Sequence, residues 1–113
     1  MADTLFTKII NKQIPADIVY EDDLCFAIKD INPQAPVHLL LISKKPIETL
    51  AQAADEDQAL LGHMLLAVGK ITRQLKIDGA FRLAINNGTE AGQSVYHLHM
   101  HILAGRRLHW PPG

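Results

Sequence analysis

The stretch Val95-Tyr96-His97-Leu98-His99-Met100-His101-Ile102-Leu103 sets imidazoles at alternate positions, with apolar residues between them. Such alternation is the pattern of a half-buried β-strand, whose successive side chains leave by opposite faces. It places His97, His99 and His101 on one face and sends Tyr96, Leu98, Met100 and Ile102 into a core on the other. A helix would scatter the same groups, because residues two apart do not face each other. Histidines side by side offer a fold little: each titrates near neutrality, and each charge disfavours the next. Half of the six histidines in the chain fall in this row, which therefore reads as a chemical site.

Working back from the row, a loop containing Gly88 and Gly92 follows a strand expected over residues 80–86, and Asn86-Asn87-Gly88 is a turn signal in its own right. Before that strand the longest helix is expected from about Asp55 to Lys76. Asp55 with Gln58 three residues on resembles a capping box, and Leu60, Leu61, Met64, Leu65, Val68, Ile71 and Leu75 form an apolar stripe. Val37 to Ser43 is a strand that turns His38 away from Val37, Leu39 and Leu41. Asp17 to Tyr20 and Leu24 to Asp30 are two more strands. Thr4 caps a short helix bearing Leu5, Phe6, Ile9 and Ile10, ended before Pro15. Five strands, turn-like connections and one long helix imply an α+β fold with an antiparallel sheet.

Composition narrows the function. A chain of 113 residues, 48% hydrophobic, suits a single domain over 1–113 with its own core. Residues 104–113 form a proline-rich tail whose Trp110 is either solvated or docked on the domain or on another subunit. A net charge of −1 provides no basic field for a nucleic-acid polymer. The lone Cys25 excludes an internal disulfide, suits a reducing compartment, and packs as a small apolar residue. With no secretory leader and no apolar run near the ~20 residues of a membrane span, the expectation is a cytoplasmic protein away from membranes.

Same-face neighbours on a strand lie about 6.5–7 Å apart at Cα, and the outer pair about 13 Å. Three such imidazoles reach one metal ion poorly, since a Zn–N bond is only ~2.1 Å long. A metal taking two of them plus His38, with Asp30 as an oxygen ligand, is the weaker reading; no metal and no cofactor are expected. A phosphate ester or amidate fits better. The middle imidazole attacks phosphorus while its neighbours hydrogen-bond the non-bridging oxygens. Gly92 lets backbone approach a ligand, and the Ser94 hydroxyl donates to a phosphate oxygen or leaving group. No lysine or arginine stands between Asn86 and His101, so no fixed cation would clamp the phosphate. Taken alone, His38 reads as a core histidine and Asp30 as a turn carboxylate. His63 and His109 read as ordinary polar positions.

His97-Leu98-His99-Met100-His101-Ile102-Leu103 resembles the motif of the histidine-triad nucleotide hydrolases and transferases, His-φ-His-φ-His-φ-φ with φ apolar. Phe6-Thr7-Lys8-Ile9-Ile10, Ile14-Pro15, the run from Asp30 to His38, Asn86, Gly92 to Tyr96, Gly105-Arg106 and the closing His109-Trp110-Pro111-Pro112-Gly113 are similar to its Hint branch. The resemblance implies a homodimer with a sheet continued across the interface, the tail docked there, and hydrolysis of purine nucleoside phosphoramidates. It implies that His99 is the nucleophile, forming a nucleotidyl-histidine, assisted by His101, His97, His38 and Ser94. It assigns Asp30 to the ribose hydroxyls and Asn86, Gly92, Ser94 and Val95 to the phosphate side. Phe6, Ile9, Ile14, Ile28 and Ile31 fall at the base and ribose pocket. Position 28 is commonly aromatic in this branch, so Ile28 offers contact without ring stacking. A dinucleoside polyphosphate hydrolase and a nucleotide-binding adaptor are the rival readings.

Overall fold

A computed structural model describes residues 3–113. The elements run α1 (Leu5–Ile10), β1 (Ile18–Glu21), β2 (Cys25–Lys29), β3 (Val37–Ser43), α2 (Gln58–Gln74), β4 (Arg82–Ala84) and β5 (His99–Ala104), with short 3₁₀ turns at Leu50–Gln52, Asp55–Asp57 and Thr89–Ala91. The five strands form one sheet in the order β1-β2-β3-β5-β4. Every pairing is antiparallel.

Period-two alternation divides the sheet into two faces. On one, Cys25, Ala27, Leu39, Leu41, Met100 and Ile102 pack against Leu60, Met64, Ala67, Val68 and Ile71 of α2. On the other, Phe26, Ile28, Leu40 and Ile42 pack against Phe6 and Ile9 of α1. A six-residue helix is not stable alone, so α1 is held by its two buried side chains and by its cap. Thr4 Oγ1 accepts from the Thr7 N–H at 3.2 Å, and Thr7 Oγ1 accepts from the Thr4 N–H at 2.7 Å. This small helix is the lid of the histidine-bearing face.

Several expectations are corrected. Residues 95–97 bend, and the ladder begins only at His99. The buried Gln93 amide accounts for this: it accepts from the Gly88 N–H at 2.8 Å and donates to the carbonyls of Glu48 (2.8 Å) and Val95 (3.1 Å), gathering the loop before the strand. Tyr96 consequently leaves the core, 38% exposed, and its hydroxyl meets Thr89 Oγ1 at 2.7 Å. The fourth strand is only Arg82–Ala84, pairing with His101 to Leu103. Asp55 and Gln58 form no capping box; instead Asp57 accepts from the Ala54 N–H at 2.9 Å, one turn ahead of α2. Leu65 and Leu75 fall outside the buried stripe and are exposed, because the sheet covers a narrower arc of α2 than its apolar pattern spans.

Asp22 ties the β1–β2 turn to α2. Its carboxylate accepts from Tyr20 Oη (2.7 Å), the N–H groups of Leu24 (2.8 Å) and Cys25 (3.0 Å), and His63 Nε2 (2.7 Å). Burial works against its charge, but these donors prevail and hold the carboxyl well below the usual range. Burial and the adjacent Asp22 push the Cys25 thiol up to about 12, so it stays protonated. His63 is thus a tether rather than an ordinary surface residue.

At the end of β5 the chain turns back at Gly105, whose φ is +92° and where a Cβ would stand 2.8 Å from Pro36 Cβ. Arg106 then donates from Nε to the Gln34 carbonyl at 3.1 Å, clamping the loop between β2 and β3. Gly105→Ala is expected to cost about 1–3 kcal/mol through backbone strain and the clash. A denaturant melt that did not shift would contradict this account of the clamp.

Candidate active site

The face under α1 carries a cavity of about 520 Å³. Phe6, Ile9, Ile14, Ile28, Asp30, Ile31, Ser94, Val95, His99 and His101 line it, so ten of the sequence-predicted positions converge on one space. Asn86 and Gly92 are not among its lining; they stand beside each other, with a Cβ at Gly92 placed 3.4 Å from Asn86 Nδ2. His97 and His38 also lie outside the lining, behind the wall. Leu5, Pro15, Ala16, Asp17, Lys29 and Leu40 join it unannounced. Leu40 was legible: it alternates with His38 and pairs with His101 across the ladder. Lys29 at the rim is paired with Asp17 at 3.5 Å and is largely solvated, so it adds a screened charge.

Hydrogen bonds to backbone carbonyls, which can only accept, fix where the protons sit on the first two histidines. His99 donates from Nδ1 to the His97 carbonyl at 2.6 Å. Its Nε2 therefore keeps a lone pair for the cavity. His97 donates from Nε2 to the Ser43 carbonyl at 2.5 Å. Its ring is 1% exposed, and its Nδ1 is, among the described residues, the buried side-chain polar atom left without a partner. The three rings do line one side, although His97 is not on the strand: Phe6 meets His97 edge-on at 5.9 Å and His99 at 5.0 Å, and His99 lies 5.2 Å from His101. The ring of His97 serves to hold the carbonyl that orients His99.

A second chain of bonds sets His101. The Gln34 N–H donates to His38 Nδ1 at 3.0 Å, so the single proton of neutral His38 is on Nε2. That nitrogen stands 2.9 Å from His101 Nδ1, which must accept, leaving His101 with an Nε2–H. A nucleophilic nitrogen and a proton-bearing nitrogen thus stand side by side at one cavity wall.

Burial lowers the pKa of all three histidines. It outweighs the Ser43 carbonyl at His97 and the His97 carbonyl and Asp30 at His99. At His101, burial, followed by the charges of His99 and His38, brings the value down to about 4. A histidine with a native pKa below its unfolded value binds fewer protons folded than unfolded, so acid favours unfolding. The stability gained by keeping His101 neutral is present above 6.5 and is lost as pH falls from there through about 4. Denaturation midpoints should decline across that interval, and His101→Gln should flatten the decline; an unchanged slope in the variant would contradict it.

Among the described residues two clusters resemble cation sites, and neither has suitable donors. Asp30, His38 and His101 bring one oxygen and two nitrogens within 4.8 Å. Yet the nitrogen of His38 that faces the cluster carries its proton, and moving that proton to Nδ1 would set it against the Gln34 N–H. In the Asp22, Cys25 and His63 group the carboxylate is already occupied by donors and the thiol is protonated.

Residues 11–108 match the model of the HIT domain. The chain is 62% identical to an uncharacterised HIT-like protein of Synechocystis sp. over 98% of this chain and 97% of that one. It superposes on a HIT family hydrolase from Legionella pneumophila with a TM-score of 0.95 and 43% identity, covering 98% of this chain and all of that one (100%). A histidine triad nucleotide-binding protein from Candida albicans aligns with a TM-score of 0.82 and 30% identity, over 96% of this chain and 83% of its own. With a matched model spanning most of the chain and its motif histidines gathered on one face of the same sheet, the protein belongs to the HIT-domain family.

Proposed function

We propose that the protein hydrolyses purine nucleoside phosphoramidates, breaking the P–N bond through a nucleotidyl group carried on His99. The observation that carries this reading is the pair of ring nitrogens at the cavity wall, a lone pair on His99 Nε2 beside an N–H on His101 Nε2. In the first half-reaction His99 Nε2 bonds to phosphorus and the amine leaves with one added proton, passed across the His101 Nε2–H and made good from solvent. In the second, water attacks phosphorus, the P–Nε2 bond breaks, and one proton returns to solvent. Of the residues that line the cavity, Ser94 and the Val95 backbone would meet the phosphate, Asp30 the ribose hydroxyls, and Ile9, Ile14 and Ile28 the base. Rapid mixing with adenosine 5′-phosphoramidate followed by mass spectrometry should find an adenylyl group on His99. A competing assay with a dinucleoside polyphosphate tests the rival leaving group.

The same reading includes a homodimer working in the cytoplasm. Leu65 and Leu66 on α2 are exposed, the latter 72%, and β4 is a three-residue edge strand; a second copy would cover both. Trp110 is 83% exposed, while Arg82 holds the tail by the His109 carbonyl at 2.7 Å. No helix among the described residues is long and apolar enough to cross a membrane. If the tail reaches the partner's cavity, deleting Arg107 to Gly113 changes amine preference more than nucleotide affinity. Equal losses across a panel of amines would oppose that placement.

A further inference from the structure

The proton that sets His101 has two acceptors within reach. His38 Nδ1 is committed to the Gln34 N–H, so the ring offers one N–H, at Nε2. Against that N–H stand His101 Nδ1 at 2.9 Å and Asp30 Oδ2 at 3.3 Å. The other carboxylate oxygen of Asp30 is engaged by the Asn32 N–H at 2.8 Å, which leaves Oδ2 without a bond of its own. A carboxylate is the stronger acceptor by charge, whereas His101 is the nearer. When Asp30 wins, His101 Nδ1 loses the donor that keeps its proton on Nε2, and that proton is free to move to the wrong nitrogen.

We propose that Asp30 is a positioning residue for turnover as well as a binding contact: hydroxyls of the substrate that occupy its carboxylate commit the His38 Nε2–H to His101 and so lock the proton on His101 Nε2. Ribose recognition is thereby coupled to the readiness of the proton donor. A substrate that fills the base and phosphate regions but leaves Asp30 vacant binds without locking the relay. The inference rests on the phosphoramidase reading, and its test separates the two.

The test compares adenosine 5′-phosphoramidate with its 2′,3′-dideoxy counterpart on the unmodified protein, which needs no variant to fold. The dideoxy compound should show kcat lower by about tenfold, over and above any rise in KM. Asp30→Asn keeps the acceptor for the Asn32 N–H and replaces Oδ2 by a donor, which removes the competition. This variant should bind the ribose substrate less well, so that its kcat/KM falls, yet turn over the dideoxy substrate about tenfold faster than the unmodified protein does. A purely structural role for Asp30 would slow both substrates. Equal kcat for the two compounds on the unmodified protein would overturn the coupling and leave the phosphoramidase reading intact, as would an Asp30→Asn variant that slows both. Failure of both compounds to leave a nucleotidyl group on His99 would remove the reading itself, and the coupling with it.

Discussion

His99→Ala is expected to reduce turnover of a nucleoside phosphoramidate by roughly 10⁴-fold or more, while a 5′-nucleotide still binds. The size follows from what is lost. In the proposed reaction His99 would supply the atom that bonds to phosphorus, and no neighbour could substitute: His97 is sealed behind it, and His101 presents a protonated nitrogen. Binding survives because Ile9, Ile14, Ile28, Asp30, Ser94 and Val95 line the cavity independently of the imidazole. Phe6 loses one of its two edge contacts, so a modest stability loss accompanies the change. Single-turnover kinetics with parallel nucleotide titration make the check, and a variant that turned over at even a hundredth of the original rate would place the nucleophile elsewhere.

His101→Ala should cost about 10²–10⁴-fold for an amine leaving group, the range of a positioned proton donor. It should cost far less for a nucleotide p-nitrophenyl ester, whose phenolate departs without a proton. The difference between substrates is the informative quantity. Because His101 is held neutral down to about 4, its contribution in the proposed reaction would be that of an N–H aimed by His38 and not of an imidazolium. Equal losses for both leaving groups would mean that His101 steadies charge on the phosphoryl oxygens instead.

Much of this site is written in local patterns. The alternation through His97 to Leu103 and through Val37 to Ser43 assigns each residue to a face before any contact is known, and His38, His99, His101 and the core residues Leu98, Met100 and Ile102 fall as that alternation requires. Alternation overreached at Tyr96, because a buried amide six residues before the ladder bends the chain there, and a hydrogen bond to a distant carbonyl leaves no periodic trace. It overreached again on α2, where Leu65 and Leu75 belong to the apolar stripe but lie beyond the sheet's edge. How wide a face is buried depends on the partner surface, which the helix's own sequence does not describe.

The amino-acid order alone determined that imidazoles would stand in a row on one side of an antiparallel sheet, since side-chain direction in a strand follows from backbone geometry. Which ring nitrogen keeps its lone pair and which carries a proton was decided only by the tertiary structure. Those choices belong to the carbonyls of Ser43 and His97 and the N–H of Gln34, groups every residue carries alike. A backbone amide acquires a specific role only through where folding puts it.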